Sequence, residues 1–179
     1  FGVNAKSEYK TLGDVIKAAK AQPGKLNIGT IVVGSTQNLG AELFKSLAGA
    51  NVVIVPYKNS PDVVVALLRN DVQMLVEFQP AVRGQVASGD IHIVATTGPK
   101  RSAAMPTVPT VQEAGVPGYE VRTWYALWAL KGTPKEIRDR MYTEIVAAMS
   151  QPDLKRIWAE QGADPGGMPA DGGDGRLHC

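Results

Sequence analysis

The segment from Gly29 to Thr36, GTIVVGST, has small and polar residues where a predicted strand gives way to a predicted helix. It nearly matches the P-loop that cradles nucleotide phosphates, but Ser35 stands where that motif has its lysine. Without the lysine, nothing in the motif neutralises the outer phosphates of a nucleotide, so nucleotide hydrolysis is not expected. What remains is a helix N-terminus, whose N–H groups carry about half a positive charge and stabilise an anion by about 0.3–1 kcal/mol.

Polar side chains at this helix start suit a carboxylate ligand. Gly34 leads into the helix, and Ser35, Thr36 and Asn38 add short polar side chains at the same place. The alternative is that Ser35 only caps its own helix, as serine commonly does, and the local sequence supports the two interpretations equally.

A second candidate is the segment Pro56–Ser60, PYKNS, which again follows a predicted strand and precedes a predicted helix. Ligands of doubly wound sheets bind outside such strand ends, so we expect both loops to face one crevice. Tyr57 offers a hydroxyl or an apolar wall, Lys58 a cation and Asn59 an amide. The alternative is a solvated lysine beside a tyrosine packed on the sheet edge.

A third strand end follows the predicted strand Val72–Val76. Glu77 and Gln79 fall there, and Glu77 joins the candidate site. Trp124 and Trp128 are interpreted as packing residues rather than as a platform for a ligand.

The sequence gives little sign of catalysis. It has no Gly-x-Ser-x-Gly nucleophile motif, and His92 has no evident acid partner. His178 and Cys179 close a glycine-rich tail, where we expect neither a catalytic dyad nor a metal site. No pair of carboxylates has a spacing typical of acid–base catalysis. We therefore expect a protein that is not an enzyme and needs no metal or cofactor.

Composition restricts the class of protein further. With 179 residues, 44% hydrophobic and 20% charged, the chain is typical of one globular domain, or of one domain with an arm that needs a partner. A formal net charge of +2 is too small to indicate binding to nucleic acid. The single cysteine, Cys179, excludes an internal disulfide.

Helix and strand patterns alternate along the chain, which predicts an α/β fold with a mainly parallel sheet flanked by helices. Four helices are expected, beginning at Thr11, at Ser35, at Ser60 and near Pro80. The helix that begins at Ser35 carries a stripe of Leu39, Leu43 and Leu47. The predicted strands are Leu26–Ile31, Val52–Val55, Val72–Val76 and Ile91–Thr96, and the β-branched run Val52–Val55 is typical of a strand buried on both faces.

Beyond Gly98 the pattern changes to a loop rich in proline and glycine, with a short helix predicted after Thr110. The segment Val121–Leu130 is predicted to be extended. Thr133 and Glu136 form a predicted capping box at the start of a helix. That helix carries an apolar stripe of Ile137, Met141, Ile145 and Ala148, and a second helix covers Pro152–Gln161.

Several segments, in this order, resemble the tripartite tricarboxylate transporter substrate-binding proteins, the Bug (TctC-like) family of periplasmic receptors. The likeness covers about residues 1–165 and is most specific from Lys100 to Tyr119. The matching segments are Lys10–Leu12, Pro23–Leu26, Gly34–Thr36 with Leu39 and Glu42–Phe44, Val55–Lys58, Lys100–Ser102, Pro106–Val111, Glu113–Glu120, Trp124 and Gly132–Pro134.

This resemblance implies a two-lobed receptor of the periplasm, with lobes of the type II periplasmic-binding-protein kind, that closes on a small carboxylate and delivers it to membrane transporter subunits. Residues 4–124 would form the second lobe. Residues 125–165 would be a return segment and C-terminal helices of the first lobe, and residues 166–179 a disordered tail. The resemblance places the loops Gly34–Thr36 and Tyr57–Asn59 at one end of the ligand.

The chain also departs from the family pattern. It begins at the expected hinge, so the segment that builds most of the first lobe is not present. Asn38 stands where histidine is usual, Asn59 where glycine is usual and Glu77-Phe78 where Asp-Asn is common. A carboxylate at Glu77 would repel a dicarboxylate ligand unless it serves an amino or hydroxyl group.

The leading hypothesis is therefore the second lobe of a carboxylate receptor, with C-terminal helices whose apolar stripe favours a homodimer or packing onto that lobe. Two alternatives stay open. One is an effector-binding domain of a sensor or regulator, since regulators share this lobe architecture. The other is an enzyme that adapted the anion site, with Lys58 or Tyr57 transferring a proton.

Overall fold

A computed structural model of the chain describes residues 1–102, 104–123 and 127–163. It divides into two compact units, residues 1–123 and 124–179. The first unit contains β1 (Gly2–Asn4), α1 (Leu12–Ala21), β2 (Asn27–Thr30), α2 (Thr36–Ala48), β3 (Val53–Pro56), α3 (Ser60–Leu68), β4 (Met74–Leu75), α4 (Gln79–Ala87) and β5 (Ile91–Ile93). The second contains α5 (Lys135–Met149) and α6 (Pro152–Glu160).

The five strands form one sheet in the order β3-β2-β4-β1-β5. Strand β2 runs parallel to β3 and to β4, whereas β1 runs antiparallel to β4 and to β5. The α/β prediction is confirmed, and the sheet is mixed because the first strand enters it in the opposite direction. Because β2, β3 and β4 are parallel, their carboxyl ends meet at one edge, and α2, α3 and α4 begin there.

Strand β3 is not buried on both faces, so that prediction is wrong. It lies at the edge of the sheet, where Val53 is 44% exposed and Ile54 and Val55 are half-buried. Val52, just before the strand, is the buried member of the run. A β-branched run indicates a strand but does not reveal how many neighbours that strand has.

Helix α2 packs on a different face from the one predicted. Of the predicted stripe, Leu43 is partly buried against the core, whereas Leu39 and Leu47 are exposed. The buried face carries Gly40, Ala41 and Phe44 together with two polar residues, Gln37 and Asn38. The small residues on this face let the helix approach the core closely. At the point of approach, the buried Tyr119 hydroxyl donates a hydrogen bond of 3.1 Å to the Gly40 carbonyl. Burial raises the pKa of Tyr119 well above its usual value. The contact spans 79 residues of sequence, which local periodicity does not reveal.

The helix caps follow local sequence closely. Thr11 caps α1 as predicted: its Oγ1 accepts from the Asp14 amide at 3.1 Å, and the Asp14 carboxylate accepts from the Thr11 amide at 2.9 Å. Gly49 ends α2 in the left-handed conformation, with φ 57°. Ser60, expected as the cap of the third helix, is instead the first residue of α3. The cap is Asn59, whose Oδ1 accepts from the Asp62 amide at 3.0 Å.

The segment after Thr110 forms turns instead of the predicted short helix. Thr110 and Glu113 bond reciprocally, like a capping box, and the Glu113 carboxylate also contacts Arg101 at 2.8 Å. Gly115 then adopts φ 106°, a left-handed conformation that ends the turn before it becomes a helix.

The second unit contains both predicted helices, but the prediction of a capping box at Thr133 is wrong. Helix α5 begins one residue later than that box requires, with Pro134 at the cap and no side-chain cap bond. The Thr133 hydroxyl donates instead to the Leu130 carbonyl at 2.7 Å. Ile137 and Met141 on the predicted stripe are about half exposed, and no residue of α5 is buried.

The predicted extended segment Val121–Leu130 has no strand in its described parts, 121–123 and 127–130, and Trp128 there is exposed. Trp124 and the predicted tail 166–179 lie outside the described residues. Among the helices of the described ranges, none is long and apolar enough to span a membrane.

Candidate functional site

The candidate site lies at the edge where β2, β3 and β4 end and three helices begin. Thr30 is the last residue of β2, and its carbonyl accepts a hydrogen bond of 2.8 Å from the Tyr57 amide just beyond β3. The Val76 amide beyond β4 donates to the Gly29 carbonyl at 3.0 Å on the other side of β2. The loop from β2 to α2 is therefore central, with the other two strand ends beside it.

The first turn of α2 is held by its own side chains. Ser35 Oγ accepts from the Asn38 amide at 3.1 Å, so Ser35 does cap its helix. Asn38 is buried; its Oδ1 accepts from the Gly34 amide at 3.1 Å, and its Nδ2 donates to Thr30 Oγ1 at 3.3 Å. Gly34 adopts φ 83°, which a residue with a side chain rarely tolerates.

Two amides of this turn have no described acceptor. The Ser35 amide donates to the Val32 carbonyl at 3.1 Å, and the Gly34 and Asn38 amides are engaged as described above. The amides of Thr36 and Gln37 donate to none of the residues that the structure describes. No acidic side chain lies in the first turn of α2, so the positive end of this helix has no neutralising charge of its own.

Glu77 joins the same network through Gln37. The Gln37 side-chain amide donates to Glu77 Oε1 at 2.7 Å, and the Phe78 amide donates to the same oxygen at 3.0 Å. The other carboxylate oxygen, Oε2, is enclosed and accepts from no described residue. The structure therefore places one negative charge beside the free amides of α2.

Four predicted site residues are brought together: Gly34, Ser35, Asn38 and, through Gln37, Glu77. Thr36 lies between them as the first residue of α2. Sequence reasoning missed Thr30 and Gln37. Thr30 had a signal, because it is a polar residue inside a predicted strand. Gln37 had none, because its partner is 40 residues away.

The side chains of Tyr57 and Lys58 border a different groove. It is open, has a volume of about 480 Å³ and is also lined by Asp62, Arg69 and Asp71 along α3. Partial burial, together with the nearby Asp71 charge, raises the pKa of Tyr57. Asn59 is committed to capping α3. No described hydrogen bond joins these three side chains to the α2 network, although the Tyr57 backbone contacts Thr30.

The loop before α2, α2 itself and the cap of α4 also carry exposed apolar side chains. Val32 and Val33 in the loop before α2, Leu39 on α2 and Phe78 at the cap of α4 are 52%, 77%, 59% and 40% exposed. In the described ranges, no group of three or more histidine, cysteine, aspartate or glutamate side chains is placed to hold a metal ion.

The chain matches the family model described as "Tripartite tricarboxylate transporter family receptor" (TctC) over residues 2–172. It belongs to the TctC receptor family. The resemblance found in the sequence is thereby confirmed.

Similar curated proteins include BugT of Bordetella pertussis, which is 34% identical over 162 residues. That alignment covers 90% of this chain and 50% of BugT. A second is the UPF0065 protein in the tcbD-tcbE intergenic region of Pseudomonas sp. strain P51, 31% identical over 93% of this chain and 50% of its own length. The chain thus spans about half the length of these relatives.

Solved relatives have the same fold. The R. palustris protein Rpa4515, solved with adipate, gives a TM-score of 0.82 at 33% identity, covering 94% of this chain and 56% of that one. A TctC solute-binding protein from Polaromonas gives a TM-score of 0.76 at 22% identity, over 90% of this chain and 55% of its own. These structures confirm the predicted fold class, a lobe of the periplasmic-binding-protein kind.

Proposed function

We propose that this chain is the carboxylate-binding part of a periplasmic solute receptor that serves a tripartite tricarboxylate-type transporter. The observation that carries the proposal is the start of α2, where the Thr36 and Gln37 amides lack a described acceptor and the first turn contains no acidic residue of its own. A carboxylate fits there, because each oxygen accepts one amide hydrogen in a charge-assisted bond.

The comparisons support a carboxylate in particular. Rpa4515, one third identical to this chain, was solved with adipate, a dicarboxylate with a hydrocarbon body. In the proposed mode, one carboxylate group lies against Thr36 and Gln37, and Ser35 and Asn38 position those amides without contacting the ligand. We propose binding without chemical conversion, since the family consists of receptors.

The length of the relatives supports a receptor built from more than this chain, since the chain covers about half of each. Ligands of such receptors are enclosed when a second lobe closes over the first, which adds contacts and excludes water. We therefore expect weak binding by this chain and tighter binding when the remaining half of the receptor is present.

We also propose that the second unit associates with another copy of the chain. Ile137, Met141 and Ile157 on α5 and α6 are about half exposed. Covering such apolar surface is favourable by about 25 cal/mol per Å². Light scattering at increasing concentration should detect a dimer, and Met141→Glu should shift it to monomer; a wild-type monomer at all concentrations would contradict this part of the proposal.

Calorimetric titration with adipate tests the carboxylate proposal directly. We expect saturable binding of adipate and none of 1,6-hexanediol, which has the same hydrocarbon body and no carboxylate. Equal affinities for both compounds would indicate that the hydrocarbon body, and not the carboxylate, accounts for binding. This result would contradict the proposed anion site. No heat with adipate, succinate, citrate or hexanoate would contradict the proposed function.

A further inference from the structure

The groove beside α3 is lined by one side of that helix and by the end of strand β3. Asp62, Val65 and Arg69 border it, and their spacing of three and then four residues places them on one side of α3. These three residues are called the α3 stripe below. Val65, in the middle of the stripe, is 48% exposed. The stripe is therefore a helix surface that is open to a partner.

Strand β3 is poorly suited to accept another strand beside this groove. The Val53 and Tyr57 amides donate to carbonyls at β2, so the backbone of the alternate residues, Ile54 and Pro56, faces away from the sheet. Pro56 also lines the groove and has no N–H to donate to an added strand. Proline at a sheet edge commonly prevents such pairing. The groove therefore favours a helix over a strand as its occupant.

The two ends of the groove carry charges of opposite sign. Asp62 lies in the first turn of α3 and Arg69 is its C-terminal cap, about 10 Å farther along the helix axis at 1.5 Å per residue. Lys58, two residues before α3, and Asp71, two residues beyond Arg69, line the same groove. All four residues are exposed, and none of them forms an ion pair with another described residue. Their charges remain available to a partner.

This pattern of charges is complementary to itself. Two positive and two negative side chains leave the groove without a net charge, so it does not favour a strongly acidic or strongly basic partner. In a second copy of the stripe laid antiparallel, each Asp62 faces Arg69 of the other copy, and each Lys58 faces Asp71 of the other copy. Both pairings have their centre close to Val65. A surface that matches its own copy in the reverse direction is what a two-fold dimer requires.

We propose that the α3 stripes of two copies of this chain pack antiparallel about a two-fold axis beside Val65. The two Val65 side chains leave water at the centre, and an Asp62–Arg69 pair lies on either side of them. The contact lies in the first unit and does not depend on carboxylate binding. It adds to the self-association proposed for the second unit: both contacts join the same two copies, so loss of either weakens one dimer.

Sedimentation equilibrium of the full 179-residue chain measures the Kd of the dimer. Asp62→Arg and Arg69→Asp each replace attraction by repulsion at two symmetric places, so each should raise the Kd by about tenfold. An equal mixture of the two variants should recover the wild-type Kd within about threefold, because one is positive and the other negative at both positions. An unchanged Kd in the single variants, or no recovery on mixing, would overturn the inference.

Two further variants guard against indirect effects. Val65→Glu brings two like charges together at the axis and should raise the Kd by about tenfold or more. Because Val65 is half exposed, the fold should persist, and thermal unfolding checks this. Glu42→Arg is the matched control, since Glu42 is exposed on α2 and does not line the groove. A rise in Kd with Glu42→Arg as large as with Asp62→Arg would overturn the assignment to the α3 stripe.

Met141→Glu separates this contact from that of the second unit. If it abolishes the dimer while the α3 variants leave the Kd unchanged, association through the second unit stands and the α3 contact is refuted. A wild-type chain that is monomeric at all concentrations refutes both contacts. Adipate affinity should be the same in the α3 variants as in the wild type, so calorimetry reports on the proposed carboxylate site independently of either result.

Discussion

Helices α2 and α3 begin at the same edge of the sheet, and each is capped by a polar side chain, Ser35 in one and Asn59 in the other. Their first turns nevertheless differ. The first turn of α3 contains Pro61, which has no N–H, and Asp62, whose carboxylate lies at the positive end of the helix. The first turn of α2 contains neither a proline nor an acid.

This difference shows why one helix start is suited to an anion and the other is not. A helix whose positive end is already neutralised by its own aspartate gains little from a bound carboxylate. Helix α2 has no acid in its first turn, its Thr36 and Gln37 amides have no described acceptor, and the nearby Glu77 carboxylate comes from another part of the chain. The chemistry of the site therefore depends on which residues are missing from the first turn as much as on which are present.

The largest effect is expected from removing one amide of α2. Thr36→Pro deletes the Thr36 N–H at the first helical position, where proline is favoured and where the preceding Ser35 is already extended, with ψ 159°. Loss of a hydrogen bond to a charged ligand costs about 1.5–3 kcal/mol, so adipate affinity measured by calorimetry should fall tenfold or more.

Two controls isolate the amide. Thr36→Ala removes the same side chain and keeps the N–H, so the difference between the two Thr36 variants belongs to the amide. Ser60→Pro makes the equivalent change in α3 and should leave adipate affinity within about twofold of wild type, since α3 is already neutralised by Asp62. A larger loss in Ser60→Pro than in Thr36→Pro would reverse the comparison between the helices.

The second effect concerns how α2 is held against the core. A Cβ at Gly40 would lie 3.1 Å from the buried Tyr119 hydroxyl, so Gly40→Ala should displace the bond that this hydroxyl makes. We expect a net loss of about 1 kcal/mol in the free energy of unfolding, after the gain in helix propensity. Urea denaturation measures it.

Gly84→Ala is the matched control for that change. Gly84 lies in α4, and a Cβ there would have no neighbour within 4 Å. The same substitution should therefore stabilise the protein by about 0.4–1 kcal/mol. If both variants were stabilised to the same degree, the close approach of α2 to Tyr119 would be refuted.

The third effect compares the two caps. Ser35→Ala and Asn59→Ala each remove the side-chain acceptor of a helix N-terminus, and each should destabilise the fold by about 1 kcal/mol. Their effects on adipate affinity should differ, because only Ser35 fixes the turn that presents the Thr36 amide. Thermal unfolding and calorimetry on both variants check this; equal losses of affinity would indicate that both loops bind the ligand.

The smallest effect is a pH dependence of the free energy of unfolding, which arises at α1. The positive end of this helix is neutralised by its own acid, Asp14. The hydrogen bond with the Thr11 side chain, followed by those from the Lys10 and Thr11 amides, lowers the pKa of Asp14 below its usual 3.8. The cap therefore stabilises the fold fully above pH 3.8, and this contribution is lost as the pH falls through the lowered pKa of the folded state.

Asp14→Asn should accordingly destabilise the protein at pH 7 and have less effect as the pH falls below 3.8, measured by urea unfolding. Helix α2 has no acidic residue in its first turn, so the cost of Ser35→Ala should stay constant over the same range. A constant cost of Asp14→Asn at all pH values would contradict the assigned cap.

Local features could be predicted from the sequence because they depend on neighbouring residues. The caps at Thr11 and Ser35 and the left-handed Gly49 each follow from side chains within one helical turn, and the structure confirms them. The predicted capping box at Thr133 was wrong, because the helix begins one residue later than predicted. The Thr133 hydroxyl therefore bonds to the Leu130 carbonyl instead of to the helix.

Features that depend on distant residues could not be predicted. The buried face of α2 contacts Tyr119, which is 79 residues beyond Gly40 in the sequence. The carboxylate that accepts from the Gln37 side chain belongs to Glu77, which is 40 residues beyond Gln37. The edge position of β3 depends on the order of strands in the sheet. No periodicity in a short window contains this information.

The most direct test of the α2 site is a nitrogen–proton NMR titration of the chain with adipate. We expect the amide resonances of Thr36 and Gln37 to shift most on binding, with those of Ser60 and Asp62 at the start of α3 unchanged. Saturating shifts at Ser60 and Asp62 with none at Thr36 and Gln37 would contradict the proposal that the free amides of α2 bind the carboxylate.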